Sequence, residues 1–217
     1  VYGFSGTQPR SGRFFSWFDT AHGGWGGSKD ADGVGPYKTL THADTKDIPV
    51  ETIEALYPML VERYEWRQNS AGAGRHRGGL GLDKTIRVLA PCNFNASFER
   101  YHCPPWGLNG GLAGSPGHIE VETSAGWRQL QKISQLAVQI GDRVHVHTGS
   151  GGGYGSPLER DADDVLHDVE DGYVSKDQAE ALYGVVFNSE NKIDDDATKK
   201  RRRTLATQSP FVQENAA

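Results

Sequence analysis

Apolar and polar positions alternate with a period of two through much of the middle of this chain, a pattern that predicts half-buried strands. Phe94, Ala96 and Phe98 fall on one face of a segment from Phe94 to Tyr101, with Asn95, Ser97 and Glu99 on the other. Ile119, Val121 and Thr123 alternate with His118, Glu120 and Glu122 before the turn Ser124-Ala125-Gly126, and a hairpin returns through Trp127 to Leu130. Met59 to Arg67, Thr85 to Leu89 and Arg143 to Thr148 also read as strands. Beyond residue 160 the period lengthens. Asp161 is placed to cap a helix with Val165, Leu166 and Val169 on one stripe, ending at Gly172. Ser175-Lys176-Asp177-Gln178 is a capping-box pattern for a second helix, carrying Ala179 and Leu182 and closed by Gly184.

The remaining segments are shorter or less regular. Pro49-Val50-Glu51 starts a short helix through Leu56, stopped by Pro58, and Val185-Val186-Phe187 resembles a short strand. Asp194-Asp195-Asp196 ahead of Lys199-Lys200-Arg201-Arg202-Arg203 reads as a solvated helix start. Residues 1 to 47 show no clear period, and Thr207 to Ala217 reads as a polar tail. The expected fold is β-rich α+β, with mixed or antiparallel sheets, glycine-rich turns and short C-terminal helices. One unit over residues 1–190 is followed by a short helix and tail over 191–217.

Composition sharpens this picture at one point. The 28 glycines among 217 residues are about twice the roughly 7% of average usage, and they gather in tracts. The tract from His147 to Arg160 joins a strand to a helix through Gly149, Gly151, Gly152, Gly153 and Gly155, with Tyr154 inside it. A flexible linker would lack that anchoring aromatic. Its backbone is expected either to take φ > 0 more than once or to lie close against another part of the chain. The formal charge of −5 offers no general attraction to nucleic acid. No run approaches the roughly 18 apolar residues of a membrane helix, so a cytoplasmic protein free of membrane is expected. Val1 opens the chain and Met59 is the single methionine, which suggests a start partway through a longer polypeptide. Cys92 and Cys103 belong to no CxxC pair and read as buried thiols, or as a disulfide if they flank a hairpin.

Candidate chemistry is sparse. Gly79-Leu80-Gly81-Leu82-Asp83-Lys84-Thr85 has the lysine and hydroxyl of a phosphate loop, but aspartate stands where the final glycine belongs, and no GxGxxG is present. Arg75, His76 and Arg77 stand between glycines. Two guanidiniums beside exposed amides suit a phosphate or carboxylate, or else they tie the loop to carboxylates elsewhere in the fold. His145 and His147 share a strand face with Arg143, which offers two metal ligands; a third could come only through the fold, from His22, His102 or Asp142. Asp30, Asp32 and Asp194 to Asp196 lack the spacing of a calcium loop. Ser150 has Thr148 where a nucleophile elbow needs glycine, and reads as a turn serine.

Six motifs in order resemble the C-terminal part of the hydantoinase B/oxoprolinase family. They are Gly23-Gly24-Trp25-Gly26 with Asp32-Gly33; Ile48-Pro49-Val50-Glu51 with Glu54 and Pro58; Tyr64-Glu65-Trp66-Arg67 into Ser70-Ala71-Gly72-Ala73-Gly74-Arg75-His76-Arg77-Gly78-Gly79; Pro105-Trp106-Gly107 with Gly110-Gly111; Gly151-Gly152-Gly153-Tyr154-Gly155 with Pro157; and Asp168-Val169 through Tyr183-Gly184-Val185-Val186. The chain departs from the family pattern in three places. Asn69-Ser70-Ala71-Gly72 replaces Asp-Ser-Gly-Gly, Thr148-Gly149-Ser150-Gly151 replaces Thr-Pro-Gly-Gly, and Ser156 replaces Asp before Pro157.

The resemblance implies a B subunit of an ATP-dependent enzyme that opens a hydantoin, oxoproline or lactam. A hydantoinase A-like partner, with ATP and Mg, would phosphorylate the carbonyl oxygen, and the B part would direct water onto the activated carbon. The ketone carboxylase branch, or a non-catalytic assembly module, are the other readings. The resemblance also implies that the remaining N-terminal part of B is a partner and carries any divalent metal, that this chain binds no metal or nucleotide alone, and that alone it is inactive. Arg75, Arg77, Gly78, Gly79, Gly152 and Gly153 are the candidate substrate or phosphate contacts, and no catalytic residue is assigned.

Overall fold

The computed structural model describes residues 1–38 and 46–208. Within them the strands form two wholly antiparallel sheets. The first has the order β2-β1-β5-β8, from β1 (Tyr2–Thr7), β2 (Phe14–Asp19), β5 (Cys92–Ser97) and β8 (Lys132–Val138). The second has the order β3-β4-β9-β6-β7, from β3 (Met59–Arg67), β4 (Gly81–Val88), β6 (His118–Thr123), β7 (Gly126–Leu130) and β9 (Arg143–His147). Helix α1 (Val50–Leu56) leads into β3, and α2 (Ala162–Glu170), α3 (Lys176–Tyr183) and α4 (Asp195–Gln208) follow the last strand. The fold is α+β, as the sequence predicts, and of the two sheet types left open, mixed or antiparallel, the sheets are antiparallel.

The sheets bury one face each against the other. Phe4, Trp17 and Phe94 of the first meet Ile86, Val121 and Val144 of the second in one apolar cluster, where each fully buried side chain stabilises the fold by about 1.5–3 kcal/mol. A polar tie crosses the same core. Asp19 on β2 accepts hydrogen bonds from the Tyr2 hydroxyl at 2.7 Å and from Lys84 Nζ on β4 at 2.8 Å. A second apolar cluster, built on Val165, Val174, Ala179, Tyr183 and Val185, packs α2 and α3 together and reaches Ala73 and Ile193. The caps stand where the sequence places them: Asp161 accepts from Asp163 N, Ser175 accepts from Gln178 N, and Gly184 ends α3 with φ +65°.

Several expectations need correction. β1 and β2 lie in the region without a clear period, because β2 carries aromatics on both faces: Phe15 and Trp17 point inward while Phe14 and Phe18 are exposed. β8 has no expectation at all. A register shift opposite Phe94 and Ala96, with Gln135 at φ +52°, breaks its alternation between Ile133 and Leu136. The strand expected over Phe94 to Tyr101 stops at Ser97, where its pairing with β8 ends. Val185 to Phe187 forms no strand, since Phe187 bridges only Ile193 across a turn. The expected tail lies outside the described residues from 209 onward, as do residues 39–45 of the N-terminal segment.

The two thiols also divide. Cys92 is buried on β5, where desolvation pushes its pKa up to about 12, but Cys103 is exposed because the strand has ended, and neither is in a disulfide. A thiol reagent at pH 8 is therefore expected to label Cys103 promptly and Cys92 only after denaturation. Peptide mass analysis showing prompt labelling of both would contradict the burial of Cys92.

Candidate functional site

The glycine tracts converge into a hub in which backbone packs directly on backbone. The segment 149–155 is its axis, and it bonds to three neighbours at once. Gly24 N donates to Gly149 O and Gly27 N to Gly152 O from one side; Gly72 N donates to Gly151 O and Gly151 N to Gly79 O from a second; Gly153 N donates to Leu112 O and Leu108 N to Gly153 O from a third. A strand in a sheet has two neighbours, because its side chains occupy the other directions. Removing the side chains opens those directions to further backbone. Cβ atoms built on Gly24, Gly78, Gly151 or Gly153 fall far inside contact distance of the carbonyls of Gly79, Gly151, Trp25 and Ala73 respectively.

The sequence allowed two explanations for these glycines, and close approach is the one that applies to 151–153. Only Gly155 in the tract has positive φ, at +74°. Buried hydroxyls fasten the hub to its flanking loops and to β4. Ser150 Oγ accepts from Ser115 N at 2.8 Å and donates to Ser70 O, while Thr148 Oγ1 accepts from Leu82 N at 2.7 Å. The departures from the family pattern fit this geometry. A Cβ on Gly149 would meet nothing closer than 3.5 Å, Asn69 adopts φ +62° as asparagine readily does, and Ser156 caps the short 3-10 turn Pro157–Glu159 by accepting from Leu158 N.

One wall of the hub opens onto a cavity of about 840 Å³. Gly23, Gly24, Gly26, Gly149, Ser150, Gly151 and Gly152 form its floor, and Trp25, Tyr37, Phe98 and Trp106 its apolar sides. Trp106 is 74% exposed and Tyr37 59%, an unusual presentation of large aromatics. The amides of Gly26, Gly149 and Gly152 have no backbone acceptor among the described residues. Lys38, Glu99 and Arg100 bring charge to the lining, whereas burial holds the pKa of His22, also in the lining, below the ordinary value despite the Asp47 charge.

Of the six candidate contact residues, Gly152 lines this cavity. Gly78, Gly79 and Gly153 are buried in the hub. Arg77 turns away from it: Nε donates to Asp168 Oδ1 at 2.7 Å, and the guanidinium lies 5.0 Å from the centre of the Tyr173 ring. Arg160 completes the cluster, forking onto Asp32 at 2.7 and 2.8 Å and approaching Asp168 Oδ2 at 2.8 Å, the last without hydrogen-bond alignment. Arg75 is exposed and forms no ion pair among the described residues. Aromatics in glycine turns, such as Trp106 after Pro104-Pro105, were the available signal for the cavity walls; nothing in local spacing points to Asp168 or Arg160 as partners of Arg77.

His145 and His147 project from the same face of β9 but find different partners. Thr85 and Glu122 flank His145, whose ring stacks on Trp127 at 4.7 Å. His147 instead stacks on His118 at 4.4 Å and bonds to Asp83. Burial, then the charges of His147 and Arg67, lower the His118 pKa.

An antiparallel sandwich and a helical cap held together by a backbone-only glycine hub, with a cavity walled by that hub, define a cleft-forming α+β module. A family model, hydantoinase B/oxoprolinase, matches residues 1–157, and the chain belongs to this family. It is 33% identical over 206 residues to the putative D-/L-hydantoinase B subunit of Pseudomonas sp. (strain NS671), covering 94% of this chain and 34% of that protein. The crystal structure of an ATP-dependent caprolactamase from Pseudomonas jessenii superposes with a TM-score of 0.77 at 27% identity, covering 93% of this chain and 37% of that one. A nucleotide-free acetone carboxylase structure superposes with a TM-score of 0.78 at 17% identity, covering 98% of this chain and 34% of that one, a likeness of fold. The chain thus spans about a third of the length of such relatives.

Proposed function

We propose that this chain is the C-terminal portion of the B subunit of a cytoplasmic, ATP-dependent hydrolase that opens a cyclic amide: a hydantoin, oxoproline or lactam. The observation that carries the reading is the 33% identity to a hydantoinase B subunit across 94% of the chain. The cavity agrees with it. Aromatic walls suit the apolar edge of a small ring, and the lining glycines Gly26, Gly149 and Gly152, whose amides have no backbone acceptor among the described residues, are the candidate donors to an acyl or phosphoryl oxygen.

An amide is a poor electrophile until resonance into its carbonyl is removed, so activation by phosphorylation precedes attack by water. That nucleotide chemistry belongs to an A-type partner with ATP and Mg²⁺. In this chain the nearest approach to a phosphate loop, residues 79–85, runs into β4, and Lys84 is buried against Asp19. The present residues therefore orient the ring and exclude water from one side of it. Any metal of the catalytic centre belongs to the rest of B. Arg75, exposed beside the hub, remains a candidate contact for a phosphorylated group.

The test uses the complete B subunit with its A partner, ATP, and a panel of hydantoin, 5-oxoproline and caprolactam. ADP and ring-opened acid are expected in equal amounts from one of them. Trp106→Ala is expected to raise KM for that substrate about tenfold, or ~1.4 kcal/mol, with little change in kcat, as loss of uniform binding requires. Consumption of ATP only with a ketone and bicarbonate would overturn hydrolysis in favour of carboxylation. No turnover with any of these substrates would leave an assembly module.

A further inference from the structure

We propose that His118, Glu120 and His147 form a binding site for a divalent transition-metal ion of the zinc class, on the outer face of the five-stranded sheet. The site is separate from the cavity and does not rest on the hydrolase reading. Register creates it. His118 and His147 are directly opposed in the β6–β9 pairing, and Glu120 is the next residue of β6 on the same face. His118 Nε2 lies 3.6 Å from Glu120 Oε1 and His147 Nε2 lies 3.9 Å from Oε2. One donor atom from each of the three residues falls within 4.8 Å of the others. A tetrahedral zinc ion with bonds of about 2.0–2.2 Å holds its ligand atoms roughly 3.3 Å apart, so closure on a metal needs side-chain adjustment and no movement of the strands.

A second contact prepares one ligand. His147 Nδ1 bonds to Asp83 Oδ1 on β4 at 2.6 Å. A carboxylate on the far nitrogen directs the lone pair of Nε2 toward Glu120 and raises its basicity, the arrangement found behind metal-bound histidines. The rings of His118 and His147 are stacked, with planes 22° apart and centroids 4.4 Å apart, which keeps the two imidazoles adjacent; turning their nitrogens onto one ion is part of the side-chain adjustment. Side-chain exposures of 18%, 21% and 33% for His118, His147 and Glu120 leave the group reachable from solvent. Arg67 is the opposing charge, and its Nη1 is directed to Pro116 O at 2.8 Å and Thr148 O at 3.2 Å. Two imidazoles and one carboxylate leave a fourth position for water. The bound ion would link β6 to β9 immediately before the chain enters the hub at Thr148. This departs from the sequence expectation that the chain binds no metal of its own.

The test is metal content of the complete, untagged protein after chelator treatment and re-equilibration with zinc. Wild type is expected to hold one zinc per chain more than His118→Ala or His147→Ala, whereas His102→Ala, in an exposed loop, retains it. Asp83→Asn is expected to weaken zinc 10- to 100-fold. Circular dichroism of the metal-free histidine variants checks that they are folded. Substitution with cobalt should give stronger visible absorption in wild type than in His147→Ala, the difference matching one ion per chain. Equal zinc content in wild type and a folded His118→Ala/His147→Ala double variant would overturn the site, as would no zinc retained by wild type.

Discussion

Gly151→Ala is expected to destabilise the protein by about 3 kcal/mol or more, at the upper end of what overpacking costs, while Gly149→Ala two residues earlier is expected to be nearly neutral. The contrast follows from what each new methyl group meets. At 151 it would overlap the carbonyl of Trp25 and crowd the amide of Gly26, both backbone, neither able to rotate aside. Relief would require 149–155 to separate from 23–27, breaking the bonds Gly24 N to Gly149 O and Gly27 N to Gly152 O, each worth about 1 kcal/mol net. At 149 the nearest atoms are 3.5 and 3.7 Å from the added Cβ, ordinary contact. Neither residue has positive φ, so the pair isolates packing from backbone strain. Urea denaturation of both variants measures the difference. Equal destabilisation would show that the glycines serve chain flexibility instead of close approach. Because the hub floors the cavity, Gly151→Ala should also reduce turnover of the complete enzyme in any fraction that remains folded.

Asp168→Ala is expected to cost about 3–5 kcal/mol, the range for removing one member of a buried ionic group. Asp168 and Arg160 are 6% and 4% exposed at their side chains. Without Asp168, Arg77 loses its carboxylate partner and Arg160 keeps Asp32 and the Arg75 carbonyl. Asp168 stands on α2, whereas Arg77 and Asp32 belong to the hub side, so the substitution should release the helical cap locally. Hydrogen exchange ought to accelerate first in α2 and α3. Replacing Arg77 as well, in Asp168→Ala/Arg77→Met, should recover part of the loss, since the second change removes a stranded charge; no recovery would mean that Asp168 acts mainly through packing.

The same cluster has a pH signature. Burial pushes the Asp32 pKa up, but hydrogen bonds from Arg160 and the charges of Arg160 and Arg77 together outweigh it, and the carboxyl titrates below its ordinary value. Its stabilising contribution is therefore present above the unfolded pKa of ~4 and is lost as pH falls through the lower folded value. Asp32→Asn should flatten that acid limb of a stability–pH profile.

Legibility from sequence depended on how local the cause was. Strands β6 and β9 are readable because Ile119, Val121, Val144 and Val146 alternate with polar residues along a few consecutive positions. The caps at Asp161 and Ser175 are readable because donor and acceptor are two or three residues apart. β2 was hidden by Phe14 and Phe18 on its outer face, and β8 by the irregularity at Gln135, since each breaks the period on which recognition relies. The glycine tracts were conspicuous, and their order pointed to the family, but two physical causes for them remained open.

The sequence by itself determined the periods, the caps, the β-rich α+β character and the membership in a family. Tertiary structure alone decided that 149–155 has three backbone neighbours, that Arg77 meets Asp168 across 91 positions of sequence, and that His147 faces His118 instead of sharing partners with His145. The reason is the range over which each constraint acts. Period and capping arise from torsions and hydrogen bonds within a few residues, whereas a buried ion pair or a backbone hub exists only after distant segments have been brought within about 3 Å of one another.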